Sequence, residues 1–153
     1  MDPVTPALLR RYSLFGGLVD DQLQRLVERI RTLELEAGAE LVHEGDRGNL
    51  MFCLVEGEVE VLHGTQAIAR LGPGETIGEM ELIDMQPRSA TVRALVPCRL
   101  LSLALRDVLM LQREDLPAFT LVVMNLARDL SRRLRKMDAA AVVPVISRPT
   151  PAG

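Results

Sequence analysis

Residues 78–91 read Gly78-Glu79-Met80-Glu81-Leu82-Ile83-Asp84-Met85-Gln86-Pro87-Arg88-Ser89-Ala90-Thr91. A Gly-Pro-Gly turn at residues 72–74 ends the strand pattern before this stretch, and Glu79 to Ile83 can then form one helical turn. The first amides of such a turn have no partner within the helix and attract an anion. Pro87 ends the turn, because it disfavours helical geometry in the residue before it. Arg88 then begins a strand, so the pattern predicts that it lies beside the helix start.

The residue types in this stretch suit a phosphate and a sugar hydroxyl. A guanidinium donates two parallel charge-assisted hydrogen bonds to a phosphate, and free backbone amides can donate the rest. The Glu79 carboxylate would repel that phosphate, but it can accept hydrogen bonds from a neutral ribose hydroxyl. Arg88 and Glu79 are therefore predicted to bind one phosphate and one ribose. The alternative interpretation is an ordinary surface ion pair between them, worth about 0–1 kcal/mol.

This stretch resembles the phosphate-binding cassette of the cyclic nucleotide-binding domains. That family includes the regulatory subunits of cAMP-dependent kinase, the bacterial catabolite activators and cyclic nucleotide-gated channels. The residues that match its Gly-Glu-Leu/Met and Pro-Arg-Ser-Ala pattern are Gly78, Glu79, Met80, Pro87, Arg88, Ser89 and Ala90. The resemblance implies that Arg88 binds the cyclic phosphate and that Glu79 binds the ribose 2′-hydroxyl. The predicted ligand-binding residues are Gly78, Glu79, Met80, Arg88, Ser89 and Ala90.

The rest of the chain predicts an α+β fold. Apolar residues at helical spacing indicate short N-terminal helices, the second of them capped by Asp20. From Leu33 the apolar period changes to two, which predicts strands near residues 40–43, 50–56, 58–63, 66–71, 92–95 and 100–105. Many short antiparallel strands are typical of a sandwich or roll. The family resemblance, from about Leu14 to Leu134, implies a jelly-roll-like antiparallel β-roll, also called a double-stranded β-helix.

The helical period returns after this roll. Residues 107–114 predict a short helix, and residues 116–137 predict a long C-terminal helix with Pro117 in its first turn. Its apolar seam has coiled-coil spacing and comprises Leu116, Phe119, Val123, Leu126, Leu130, Leu134 and Met137. A helix that is apolar on more than one side must bury both, so we predict a homodimer through this helix. The alternative is a monomer whose seam lies on its own roll.

The last part of the chain carries two further expectations. Five cations, Arg128, Arg132, Arg133, Arg135 and Lys136, lie near the helix end, where they complement its dipole. One of these arginines is expected to contact the nucleotide base. Residues 1–137 are predicted to form the domain, and residues 138–153 a flexible tail. This tail leaves no room for a helix-turn-helix, so direct DNA binding is not expected.

Composition supports a single globular domain. The chain has 153 residues, 48% of them apolar and 25% charged, with a net charge of −3. No apolar run reaches the roughly 20 residues that span a bilayer, so a cytoplasmic protein without membrane contact is predicted. Cys53 and Cys98 lie in apolar strand patterns, which favours buried reduced thiols. His43 and His63 have no flanking ligands, so no metal site and no cofactor are expected.

These patterns lead to one functional hypothesis and two competitors. The leading hypothesis is a sensor that binds a cyclic nucleotide and signals occupancy to an unidentified effector protein through its C-terminal helices. Ser89 beside Arg88 resembles the cAMP-binding members, so cAMP is preferred over cGMP. The first alternative is a ligand-independent protein-interaction scaffold on the same fold. An enzyme is disfavoured, because no residues that pair as nucleophile and base accompany the predicted phosphate site.

Overall fold

The computed structural model describes residues 3–146, with side chains described for residues 3–139. The helices are α1 (Pro6–Leu9), α2 (Asp20–Val27), α3 (Met80–Asp84), α4 (Leu105–Glu114) and α5 (Leu116–Ile146), with a 3-10 turn at Ser13–Phe15. The strands are β1 (Arg31–Leu35), β2 (Glu40–Val42), β3 (Leu50–Glu56), β4 (Val59–His63), β5 (Gln66–Leu71), β6 (Thr76–Ile77), β7 (Thr91–Ala94) and β8 (Cys98–Ala104). The predicted α+β fold is confirmed.

The strands form two antiparallel sheets. One sheet has the order β1-β8-β3-β6 and the other has the order β2-β7-β4-β5. Strands distant in sequence are neighbours in each sheet, as in a roll rather than a meander. The short β6 strand, which the sequence pattern did not predict, pairs with β3 through Phe52↔Ile77 and Cys53↔Thr76. This pairing places the start of α3 at the edge of the first sheet.

The first sheet is buried on both faces. On β3, Phe52 and Leu54 pack in the core between the sheets, whereas Met51 and Cys53 pack against the helices. This division follows from the two-residue period of a strand, which points successive side chains to opposite faces. Both cysteines are buried and free, as predicted. Burial raises the pKa of the Cys53 thiol from 9.0 to about 12.

Two helix ends differ from their predictions. The residue that caps α2 is Val19 rather than Asp20, and the Val19 N–H donates to Gln22 Oε1 at 3.0 Å. Asp20 instead lies in the first turn, where its charge complements the helix dipole. At the other end of the chain α5 continues to Ile146, beyond the predicted end at residue 137. The predicted helix end is therefore wrong, whereas the flexibility of residues 138–146 stays a prediction, and residues 147–153 lie outside the described residues.

The helix α5 packs on the roll through one face. Its first turn is capped by Asp115, whose Oδ1 accepts from the Ala118 N–H at 3.1 Å. Ala118, Val122 and Leu126 are buried in the helical core, the cluster between the helices and the first sheet. Asn125 fixes the helix to the 3-10 turn, because its Nδ2 donates to the carbonyls of Leu14 and Gly16 at 3.1 and 3.0 Å. No helix within the described residues is long and apolar enough to cross a membrane.

Candidate functional site

The chain enters the site through a residue that must be glycine. Gly78 follows β6 with a φ of +84°, a left-handed backbone that favours glycine. A Cβ at this position would also overlap the guanidinium of Arg88. Glu79 then precedes the first residue of α3, and the helix ends at Met85, which has a left-handed φ of 55°. The predicted short helix between Glu79 and Pro87 is therefore confirmed.

The backbone of Arg88 is held by the loop before β3. Its N–H donates to the Asp46 carbonyl and its own carbonyl accepts from the Gly45 N–H, both at 2.8 Å. Arg88 precedes β7 by three residues, so the predicted strand starts slightly later than expected. These two hydrogen bonds fix the direction in which the Arg88 side chain leaves the backbone.

The Arg88 side chain is buried and closely surrounded. Only 8% of the residue is exposed, and its Nη2 donates to the Leu50 carbonyl at 2.8 Å. Its Nε lies 3.0 Å from Glu81 Oε1, while the other oxygen of Glu81 accepts from the Gly48 N–H at 3.1 Å. A Cβ at Gly48 would overlap the guanidinium, so the absence of a side chain there makes room for Arg88.

One nitrogen of Arg88 is unsatisfied. Among the described residues, buried Nη1 has no hydrogen-bond partner. A buried cationic N–H without an acceptor is unfavourable by roughly 1–3 kcal/mol or more. An anionic oxygen in the adjacent cavity would satisfy it. This unsatisfied donor is therefore available to an acceptor in the cavity.

Glu79 lies at the other end of the site and pairs with α5. It is 3% exposed, and its Oε1 accepts from Arg133 Nη1 at 2.8 Å. Arg133 Nη2 also donates to the Thr76 carbonyl at 2.6 Å, so this one side chain connects α5 to both β6 and the start of α3. The alternative of a surface ion pair between Arg88 and Glu79 is wrong, because both are buried and each pairs with another residue.

A cavity of about 170 Å³ joins the two ends of the site. Its lining includes all six predicted ligand-binding residues, Gly78, Glu79, Met80, Arg88, Ser89 and Ala90. Val42, Val61, Leu71 and Val92 provide an apolar wall, and Arg133 lies on the α5 side. Polar groups that converge beside an apolar wall are typical of a small-molecule site. That these six residues bind ligand stays a prediction.

The sequence pattern missed three participants. Gly48 and Glu81 carried no predicted role in the site. Arg133 belonged to the basic group in which one arginine was expected to reach the nucleotide base; here it contacts Glu79 instead. No local signal separates Arg133 from its neighbours, because its role depends on how α5 packs on the roll. Among the described residues, no cluster of three or more potential metal ligands is present.

Comparison with known proteins identifies the family. The sequence profile described as "Cyclic nucleotide-binding domain" matches residues 32–115. The chain is 36% identical over 130 residues to the cyclic AMP receptor protein of Thermus thermophilus, covering 82% of this chain and 58% of that protein. The chain therefore belongs to the cyclic nucleotide-binding domain family. It spans less than two thirds of the length of that relative.

Two solved structures agree with this assignment. A cyclic nucleotide-binding protein from Geobacter metallireducens superposes with a TM-score of 0.78, covering 86% of this chain and 98% of that chain. Their identity is 22%, so this similarity supports the fold alone. The regulatory domain of the Toxoplasma gondii PKA, crystallised with cAMP, has a TM-score of 0.59 and 28% identity, covering 66% of this chain and 40% of that chain.

Proposed function

We propose that the protein is a regulatory sensor that binds a cyclic nucleotide, with cAMP preferred over cGMP. The observation that carries this proposal is the buried Nη1 of Arg88, which has no hydrogen-bond partner among the described residues. It lies beside Gly78, at the entrance to α3, where a phosphate can also accept hydrogen bonds from backbone amides. The names of the family's characterised relatives agree with this ligand class.

The sugar end of the ligand is assigned to Glu79. A carboxylate repels a phosphate but accepts a hydrogen bond from a hydroxyl, so the ribose 2′-hydroxyl is the group that Glu79 would bind. Ser89 and the amides of Met80 and Ala90 would complete the phosphate contacts, as the family pattern implies. The apolar wall of Val61, Leu71 and Val92 would face the less polar part of the ligand.

Occupancy would be signalled through α5. The Glu79–Arg133 pair joins the sugar end of the cavity to this helix, so a ligand hydroxyl on Glu79 alters the contact that holds α5. A ligand shifts a conformational equilibrium only by its differential affinity for the two arrangements. The Glu79–Arg133 contact supplies such a difference, because the ribose and Arg133 approach the same carboxylate.

Calorimetric titration tests the ligand assignment. Wild type should bind cAMP, whereas Arg88→Ala should lose about 3–5 kcal/mol, or at least a hundredfold in affinity. Arg70→Ala is the matched control, since Arg70 is an exposed arginine of β5 outside the cavity. Equal affinities for wild type and Arg88→Ala would refute the phosphate site.

The base preference has its own test. We expect cAMP to bind more tightly than cGMP because Ser89 follows Arg88, as in the cAMP-binding members that the sequence resembles. A competition assay with a fluorescent cAMP derivative measures both affinities in one sample. Displacement by cGMP at about tenfold lower concentration than cAMP would reverse the assignment.

We also propose that the protein is a homodimer through α5. Leu116, Leu134 and Met137 are exposed by 56%, 60% and 67%, although they belong to the predicted apolar seam. Leu126 from the same seam is buried against the roll, so α5 has apolar residues on two sides. Light scattering of Leu134→Glu should show a monomer, while Gln112→Glu on the exposed side of α4 should remain dimeric. A monomeric wild type at all concentrations would contradict the dimer.

The remaining assignments follow from the sensor role. We propose a cytoplasmic protein that acts on an effector protein, without catalytic activity, cofactor or DNA contact of its own. Incubation with cAMP followed by chromatography would reveal any hydrolysis. The competing function is a scaffold that needs no nucleotide; cAMP at 100 times its dissociation constant would then fail to add the expected stabilisation of about 2.7 kcal/mol.

A further inference from the structure

The residue that pairs with Arg88 is an unexpected carboxylate. Glu81 is the second residue of α3, and the paired Arg88 and Glu81 side chains are only 7% and 9% exposed. Its Oε1 is 3.0 Å from Arg88 Nε, and its Oε2 accepts from the Gly48 N–H. An anion therefore already lies against the guanidinium that the proposed phosphate would use.

The charges around the cavity are already matched or exceeded by carboxylates without a ligand. Arg88 and Arg133 contribute two positive charges, and Glu81 and Glu79 contribute two negative charges at 3.0 and 2.8 Å from them. Asp84 also lines the cavity, so a cyclic phosphate adds a further negative charge where carboxylates already outnumber arginines. Charges that share a poorly hydrated site interact strongly. The Glu81 carboxylate must therefore oppose the binding of any anion at Arg88.

The Arg88–Glu81 pair is also imperfect. Although Glu81 Oε1 is close to Arg88 Nε, it has no hydrogen-bond partner among the described residues, and neither has Arg88 Nη1. The contact is therefore a charge pair with poor hydrogen-bond geometry. A buried ion pair is stable only when the remaining donors and acceptors are also satisfied. A phosphate that satisfies Nη1 can compete with such a partner.

We propose that Glu81 is an internal counter-anion that competes with the ligand phosphate for Arg88 and thereby lowers the affinity for cyclic nucleotide. This inference rests on the proposed function. The apparent affinity of a ligand falls with the fraction of protein in which its site is available. Glu81 holds Arg88 in the neutralised arrangement until a ligand displaces it. The short helix α3, whose Ile83 and Met85 are exposed, can move as Glu81 leaves.

Glu81→Gln removes the charge of the Glu81 side chain while keeping its size. The amide oxygen of Gln can still accept from the Gly48 N–H, so the loop contact is kept while the competing charge and acceptor beside Arg88 are removed. We expect calorimetric titration to show cAMP binding at least about tenfold tighter than wild type. The matched control is Glu60→Gln, which removes a carboxylate from the Arg93–Glu60 pair between β7 and β4, outside the cavity. Its affinity should match wild type.

The outcomes separate this inference from the proposed function. If wild type binds cAMP and Glu81→Gln binds it equally or more weakly, Glu81 is not a competitor, and the inference is wrong. If neither wild type nor Glu81→Gln binds any cyclic nucleotide, the proposed function itself is wrong. Binding by Glu81→Gln but not by wild type would support both the inference and the proposed function, because the competing anion would then explain why wild type does not bind.

A second measurement covers a failure of Glu81→Gln to fold. Glu81→Asp keeps the charge but moves it away from Arg88 by one methylene, so its cAMP affinity should be higher than that of wild type. Where Glu81→Gln also folds, the affinity of Glu81→Asp should be lower than that of Glu81→Gln. An affinity for Glu81→Asp at or below that of wild type would overturn the proposal. Circular dichroism of each variant establishes that the titrated protein is folded.

Discussion

The proposed phosphate end of the cavity, at Arg88, and the proposed sugar end, at Glu79, are held by different parts of the molecule. Arg88 is fixed by residues 45–50 and by Glu81, all of which belong to the roll and its short helix. Glu79 is held by Arg133, which lies on α5, 54 positions further along the chain. Arg88 is therefore held within one part of the fold, whereas the position of Glu79 depends on where a helix packs.

This difference indicates which end of the cavity changes most when a ligand binds. The cavity of about 170 Å³ is smaller than the roughly 300–1,000 Å³ of most ligand pockets. Arg88 is enclosed by backbone and cannot move aside for a ligand, whereas the Arg133 side chain is 26% exposed. We therefore expect ligand binding to leave Arg88 and residues 45–50 in place, to displace Glu81 from Arg88, and to displace the α5 contact at the sugar end.

The largest expected effect comes from filling the space beside Arg88. Gly48→Ala places a methyl group where the guanidinium lies, so Arg88 must leave its pocket. The cAMP affinity should fall at least about a hundredfold, as for loss of a buried charged partner. Gly72→Ala is the control, because no atom lies within 4 Å of a Cβ there. A Gly48→Ala protein with normal affinity would show that the phosphate end is not rigid.

Loss of the α5 contact should have the next largest effect. Arg133→Ala leaves the Glu79 carboxylate buried without its partner, which should lower the free energy of unfolding by about 1–3 kcal/mol. Hydrogen exchange should also become faster in α5 near residue 133. Thermal unfolding and exchange mass spectrometry measure the two changes, with exposed Arg135→Ala as control. Unchanged exchange in α5 would mean that Arg133 does not hold the helix.

A smaller effect is expected where α5 meets the N-terminal turn. Asn125→Ala removes both hydrogen bonds to the Leu14 and Gly16 carbonyls, which should cost about 1–2 kcal/mol of stability. Because Asn125 lies outside the cavity, cAMP affinity should change less than in Arg133→Ala. Exposed Thr120→Ala on the same helix should leave stability unchanged. A larger loss of affinity in Asn125→Ala than in Arg133→Ala would reverse the order of the two α5 contacts.

The smallest expected effect is on Cys53, which reports whether the helices leave the roll. Burial holds its pKa at about 12, so the reactive thiolate is scarce and labelling should be slow near neutral pH. Between pH 9.0 and about 12 the unfolded thiol loses its proton while the folded thiol keeps it. The stabilising contribution of this group is thus complete below pH 9.0 and is lost as pH rises through that window.

A labelling experiment uses this property. Mass spectrometry should find Cys53 unmodified by a thiol reagent in the native protein, and modified after unfolding by urea. If α5 movement on ligand binding separated the whole helical core from the roll, cAMP would accelerate the labelling. We expect no acceleration, because only the contact near Arg133 is expected to change.

Much of the fold was predictable from local patterns. The strands at residues 50–56 and 66–71 agree with their predictions, because apolar alternation and glycine turns report strands directly. The two-residue β6 strand was not predictable, since it exists only through pairing with β3. The end of α5 was also placed too early. Helix propensity continues through the alanines at residues 139–141, so α5 does not end where its apolar seam ends at Met137.

Residues 78–91 alone predict the family and the phosphate end of the site, because Gly78, Arg88 and Ser89 are close in the chain and local geometry brings them together. The partners of Arg88 and Glu79 depend instead on how the whole chain packs. Whether a buried carboxylate faces Arg88, and which of the five cations at residues 128–136 reaches Glu79, depends on side chains that are distant in sequence or turned inward by packing. Contacts of this kind leave no local pattern, since they arise from how α5 and the loop at Gly48 pack on the roll.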